Sequence, residues 1–352
     1  MPRPIKVLVV DDSALVRGIL SQGLAQDPEL EVVGTAADPF QARDKIVQLK
    51  PDVLTLDVEM PRMDGVEFLR HLMPQYPLPV VMVSSLTERG KRITMEALEA
   101  GAVDFVSKPK ANMADGLRKL LEELRHKVKI ASRANVDHFK NRRSNIRPRR
   151  NSVRPLAESS HKVIVIGAST GGTEAIKELL GHFPVTTPGC VIVQHMPAGF
   201  TTVFAERLHK QVDMEVREAK DGDRVIPGRV LIAPGDYHMQ VVRSGGFYSV
   251  RCETGEKVCG HCPSVEVLMR SAATSLGANA IGVMLTGMGR DGAEGMKAMR
   301  DAGARTLAQD EKSCVVFGMP KVAYEIGGAE QLVSLTSIPD VVLNWLYQEE
   351  TV

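Results

Sequence analysis

The sequence has no apolar run near the roughly 20 residues that a membrane-spanning helix needs, so no membrane insertion is expected. It also lacks a secretory pattern. Met1-Pro2-Arg3-Pro4 leads into the short run Ile5 to Val10, which is strand length and carries no small-residue cleavage site. Net charge is nearly absent. A formal total of +1 gives no global bias toward nucleic acid or a membrane surface. The cysteines are few and odd in number: five in a chain of 352 residues, long enough to bury sizeable cores without disulfide staples. Reduced thiols in a cytoplasmic protein are therefore expected. No internal repeat is visible, and the glycine-rich turn Gly167–Gly172 carries neither a full Gly-x-Gly-x-x-Gly nor a following Gly-Lys-Ser/Thr.

What is present is an ordinary globular composition, 43% apolar and 25% charged, at a length that suggests two domains. Apolar runs alternate with amphipathic stretches as far as Arg125. Predicted strands are Ile5–Val10, Glu31–Thr35, Val53–Leu56, Val80–Val83 and Val103–Val106, with helices such as Ser13–Ala25 and Arg89–Ala100 between them. This alternation argues for a five-stranded parallel sheet covered on both faces, a doubly wound α/β domain over residues 1–125. The pattern fails over 126–158, where ten Lys and Arg stand against Asp137 and Glu158, a local charge of +8. That stretch is predicted to start helical and run into a basic flexible linker. A solvated hinge is the plainest role for it. Electrostatic contact with acidic partner helices and nonspecific nucleic-acid binding are alternatives, and no nucleic-acid motif supports the last.

A second α/β domain is predicted over 159–352, doubly wound on a mostly parallel sheet. Its strands include Val163–Ile166, Cys190–Val193, Ala280–Leu285 and Arg305–Ala308, with shorter and partly antiparallel ones over 230–251. Ligands bind at the carboxyl ends of strands in such sheets, so residues there are the candidates.

In the first domain Asp11 and Asp12 end the first strand, Asp57 ends the third, and Lys108 with Pro109 follows the fifth. Three carboxylates supply hard oxygen ligands for Mg²⁺, and Lys108 would share in neutralising a phosphoryl group moving to Asp57. With Ser84 ending the fourth strand and Phe105 in the fifth, the region resembles a response-regulator receiver domain. The resemblance implies Asp57 as phosphoacceptor and Mg²⁺ held by Asp11, Asp12, Asp57 and the carbonyl of Glu59. It also implies Ser84 as the hydroxyl that follows the phosphate, Phe105 as the aromatic that reorients, and a sensor histidine kinase as phosphodonor. Many receivers carry Thr and Tyr at the Ser84 and Phe105 places, and the residues here keep a hydroxyl and a ring.

In the second domain Gly167-Ala168-Ser169-Thr170-Gly171-Gly172 follows a strand and opens a helix, with Gly-x-Ser-x-Gly spacing. Two plainer readings compete: a cradle for a nucleotide phosphate, or a serine that only caps its helix. His195 lies at the end of the next strand and could activate Ser169. Asp291 lies past Ala280–Leu285 and could orient the histidine. The chain order Ser, His, Asp differs from the Ser, Asp, His order of an ordinary α/β-hydrolase. Together with Gln194-His195-Met196, Ala233-Pro234-Gly235-Asp236-Tyr237-His238, Pro263-Ser264-Val265 and Thr286-Gly287-Met288-Gly289-Arg290-Asp291-Gly292, the turn resembles that of the chemotaxis protein-glutamate methylesterases. Both domains and their order match that family.

The resemblance implies Ser169 as nucleophile, His195 as base, Asp291 as orienter, Thr170 as support for the histidine and the Met288 N–H as an oxyanion donor. It implies hydrolysis of glutamate methyl esters, and deamidation of glutamines, on methyl-accepting chemotaxis receptors, with no cofactor for the hydrolase. A rival reading is an adaptor that binds receptors without turnover. Cys259-Gly260-His261-Cys262 invites zinc, but its spacing is poor for four ligands, and the Mg²⁺ pocket is the one metal site predicted.

Overall fold

A computed structural model describes residues 3–109, 114–141 and 161–349, and they fall into two compact units, 1–145 and 146–352. The first unit runs β1 (Ile5–Val10), α1 (Ala14–Ala25), β2 (Leu30–Ala36), α2 (Pro39–Leu49) and β3 (Val53–Asp57). It continues through α3 (Gly65–Gln75), β4 (Val80–Ser84), α4 (Glu88–Glu99), β5 (Asp104–Ser107) and α5 (Ala114–Ala131). The sheet order is β2-β1-β3-β4-β5, all parallel. Strands β3 and β4 are buried at every residue, because helices cover both faces. Chain direction across the sheet reverses between β1 and β3, which opens a crevice at their carboxyl ends. Ser13, Asp38, Asp64 and Thr87 each cap the helix that follows with a side-chain oxygen, so every one of α1 to α4 starts at a polar residue after a strand end or turn.

The stretch from His126 starts as helix, as expected. Helix α5 runs through Ala131, and a 3₁₀ turn follows at Asp137–Asn141. Val128, Ile130, Val136 and Phe139 are buried, so apolar packing carries this unit past the point where basic residues accumulate. Two of those basic residues are internal partners: Lys127 pairs with Asp104 and Glu123, and Lys129 with Asp27 and Glu29. The remaining linker expectation, over 142–158, lies outside the described residues.

The second unit runs β6 (Val163–Ala168), α6 (Gly172–Leu180), β7 (Cys190–Gln194), α7 (Phe200–His209), β8 (Glu215–Glu218), β9 (Arg224–Val225) and β10 (Arg229–Ile232). A hairpin follows, β11 (His238–Ser244) and β12 (Phe247–Glu253), then α8 (Val265–Leu276) and β13 (Ala280–Met284). The unit closes with α9 (Ala293–Asp301), β14 (Arg305–Gln309), α10 (Met319–Glu325), β15 (Gln331–Val333) and α11 (Ile338–Glu349). Seven strands form one parallel sheet in the order β15-β14-β13-β6-β7-β10-β8. The short strand at 229–232 is thus parallel and interior, while the antiparallel pairing sits in a separate sheet, β11-β12-β9. The chain leaves β6 toward β7 on one side and returns to β13 on the other, so the switch point lies at β6. Among the described residues no helix is long and apolar enough to cross a membrane.

Candidate active site

At the first switch point, carboxylate oxygens of Asp11, Asp12 and Asp57 lie within 4.8 Å of one another. Lys108 Nζ reaches in from the loop after β5, 2.9 Å from Asp57 Oδ1 and 3.1 Å from Asp11 Oδ2. Arg17 ties the loop beneath by donating to the carbonyls of Asp11 and Asp12. Burial pushes the Asp57 carboxyl up to about 6, against the downward pull of Lys108. Burial would lower the Lys108 ammonium, but Asp57 and Asp11 outweigh it and the net shift is upward. Three carboxylates against one ammonium leave a negative pocket of hard oxygens, a donor set that fits Mg²⁺ and not a thiophilic metal. Glu59 lies exposed two residues past Asp57.

Ser84 and Phe105 have definite partners. Ser84 Oγ is 2.5 Å from Thr94 Oγ1 on α4, and Thr94 itself donates to the Gly90 carbonyl. The Phe105 ring is buried, with Lys127 Nζ 5.1 Å from its centroid. Neither Thr94 nor Lys127 was singled out as a partner from sequence. Thr94 lies at i+4 from Gly90, one helical turn on, and only the fold brings it under Ser84.

At the second switch point Ser169 follows β6, His195 follows β7 and Asp291 lies in the loop after β13. His195 Nδ1 is 3.1 Å from Ser169 Oγ, and His195 Nε2 is 2.7 Å from Asp291 Oδ2. The serine proton must go to an acceptor and the carboxylate must receive a donor. These partners therefore assign the neutral tautomer with the proton on Nε2. Asp291 is nearly fully buried yet well supplied with donors. Ser264 Oγ and the Glu266 N–H donate to Oδ1, and the Val265 N–H donates to Oδ2. The carboxylate thus caps the N-terminus of α8 from another loop, where the helix dipole favours negative charge. Burial alone would raise its pKa, but hydrogen bonds from His195, Ser264 and Val265 hold it below the ordinary carboxylate value.

Gln194, buried beneath the turn, donates from Nε2 to the carbonyls of both Ser169 (3.0 Å) and His195 (3.2 Å), so one amide clamps the two loops together. Gly172 lets it in: a Cβ there would sit 2.1 Å from Gln194 Oε1. The Ser169 N–H donates to the Thr286 carbonyl, and a Cβ on Gly287 would fall 2.7 Å from Ser169 Cβ. The β13 loop therefore packs directly on the serine turn, with Met288 next in line. Thr170 is buried beside Ser169, its carbonyl accepting from Thr286 Oγ1. Gly287→Ala is expected to displace the serine and lower kcat by about 10²-fold, the cost of a misplacement near 1 Å, while thermal melting shows a folded domain.

The Cys259–Cys262 segment does not gather a metal set. Among the described residues the group with metal-ligand proximity is Asp11, Asp12 and Asp57. Burial and nearby carboxylates raise the thiols of both Cys259 and Cys262, which disfavours thiolate ligation.

Comparison with known proteins places both halves. Residues 164–342 match the CheB methylesterase family, and residues 7–134 match the response regulator receiver domain family. A protein-glutamate methylesterase/protein-glutamine glutaminase of Syntrophotalea carbinolica is 68% identical over 98% of this chain and 99% of its own length. One from Sulfurimonas denitrificans is 53% identical over 98% of this chain and 99% of its own. The crystal structure of the Thermotoga maritima CheB methylesterase catalytic domain superposes with a TM-score of 0.52 at 37% identity, covering 53% of this chain and 99% of that one. With identity this high along nearly its whole length, and with both domain matches in the same order, this chain belongs to the CheB methylesterase family.

Proposed function

We propose that this protein is a protein-glutamate methylesterase and protein-glutamine glutaminase whose hydrolytic rate is set by phosphorylation of Asp57. The observation that carries the reading is the hydrogen-bonded series Ser169–His195–Asp291 at the switch point of the second sheet. Ser169 Oγ attacks the side-chain carbonyl of a methylated glutamate as His195 Nδ1 takes its proton. The imidazolium that forms is held by Asp291. The negative charge on the substrate oxygen meets the Met288 N–H and the N-terminal end of α6, and Thr170 supports the histidine turn. His195 returns the proton to the departing methanol. Water, deprotonated by the same histidine, then cleaves the acyl-serine and leaves glutamate. With glutamine as substrate, ammonia departs instead. These steps draw on side chains, backbone N–H groups and water, with no cofactor.

In the receiver, Asp57 accepts the phosphoryl group of a sensor histidine kinase, beside Lys108. Asp11, Asp12, Asp57 and the Glu59 carbonyl would hold Mg²⁺, which supplies charge neutralisation for the phosphoryl oxygens. Ser84 exchanges its bond to Thr94 for one to the phosphate, and Phe105 reorients with it. Substrates are methyl-accepting chemotaxis receptors, the setting is the cytoplasm, and the output is sensory adaptation. A small phosphodonor with Mg²⁺ is expected to raise methanol release from methylated receptor membranes by roughly 5- to 150-fold, the usual span of allosteric coupling. Asp57→Ala removes that response and leaves the basal rate. An Asp57→Ala protein that still responds to the donor would overturn the assignment.

A further inference from the structure

The His195 ring has a third neighbour besides Ser169 and Asp291. The imidazole of His261 lies flat against it, with 3.7 Å between centroids and planes 9° apart. His261 belongs to a two-residue hairpin loop between β12 and α8. The Val258 N–H donates to the His261 carbonyl and the His261 N–H to the Val258 carbonyl, both at 3.0 Å. The tip residues Cys259 and Gly260 have φ of +51° and +84°. Two positive φ values in a paired two-residue loop make a type I′ turn, where Asn-Gly or Asp-Gly is favoured. A cysteine in the left-handed position is uncommon and persists where its surroundings hold it. Here the thiol lies beside the Asp291 carboxylate. The turn is thus fastened by backbone hydrogen bonds at its base and lies against Asp291 at its tip.

We propose that His261 is a positioning residue for the hydrolysis: its ring holds the face of His195 so that both nitrogens stay aligned on Ser169 and Asp291. The inference rests on the reading of His195 as the general base. Bonds at the two nitrogens fix the edges of the imidazole but leave it free to hinge about the line that joins its partners. A parallel ring at van der Waals distance blocks that hinge on one side. The requirement is for a flat face, so a phenyl ring meets it and a methyl group does not.

Two full-length variants test this, His261→Ala and His261→Phe, each read by methanol release from methylated receptor membranes and by the rate at which a fluorophosphonate labels Ser169. The alanine variant is expected to lose about 3- to 10-fold in kcat and in labelling rate, the range of a stacked aromatic pair, with KM within about twofold of wild type. The phenylalanine variant is expected to recover most of both. An alanine variant within twofold of wild type overturns the proposal. Equal losses in both variants overturn it in favour of a role for the imidazole nitrogens, and a loss confined to KM overturns it in favour of substrate contact. If the alanine variant melts early, a folded phenylalanine variant decides by its own rate. Wild type that labels at Ser169 yet releases no methanol contradicts the substrate reading alone, and the two variants are then judged on labelling.

Discussion

Ser169→Ala is expected to lower methanol release by about 10⁶-fold, the loss seen when the nucleophile of a serine hydrolase is removed, with no change in melting temperature. The hydroxyl carries one hydrogen bond, to His195, so its removal leaves a small gap and no orphaned buried partner beyond the histidine nitrogen. An effect on rate without an effect on stability separates a nucleophile from a helix cap. The structure supports that separation independently. The N-cap of helix α6 is Gly171, which makes no side-chain capping bond, and the Ser169 hydroxyl points to the histidine.

Asp291→Asn is expected to cost about 10⁴-fold in kcat, through the tautomer of His195. The carboxylate accepts four hydrogen bonds, two on each oxygen. An asparagine offers one accepting oxygen and presents an NH₂ on the other side. If that group faces His195, Nε2 becomes an acceptor and the proton moves to Nδ1, where it blocks transfer from Ser169. If it faces Ser264 and the Glu266 N–H, two buried donors lose their acceptor, at about 1–3 kcal/mol each. Either way the N-terminus of α8 loses a negative cap. A fall of about 2–4 °C in melting temperature per kcal/mol should accompany the kinetic loss. A pH-rate profile of this variant, beside a calorimetric melt, checks both parts. An Asp291→Asn protein with wild-type kcat would remove the orienting role.

The strand ends were legible because a parallel sheet buried on both faces writes each strand as an unbroken apolar run. The polar residue that breaks the run then marks the crevice. Asp11, Asp57, Ser169 and His195 were all found that way. Asp291 is seven residues past the end of β13 and needed the rest of its loop to be seen. What escaped reading is set by long-range partners. Ser264 looks like an ordinary helix cap, yet its hydroxyl serves Asp291, 27 residues on. His261 sat in a cysteine-flanked segment that suggested metal, and only the hairpin brings its ring to His195. Lys127 and Lys129 were counted as linker charge, although Asp104 and Asp27, their partners, are remote in sequence. Strand β8 was missed because it lies at the sheet edge with one buried residue, so Glu215-Val216-Arg217-Glu218 reads as polar surface.

The measurement that tests the account most directly is one continuous time course of methanol release from methylated receptor membranes, with a small phosphodonor and Mg²⁺ added midway. The account predicts a slow first slope, an upward break on addition, and a flat trace throughout for Ser169→Ala. A straight line through the addition, or methanol released by the alanine variant, would contradict it.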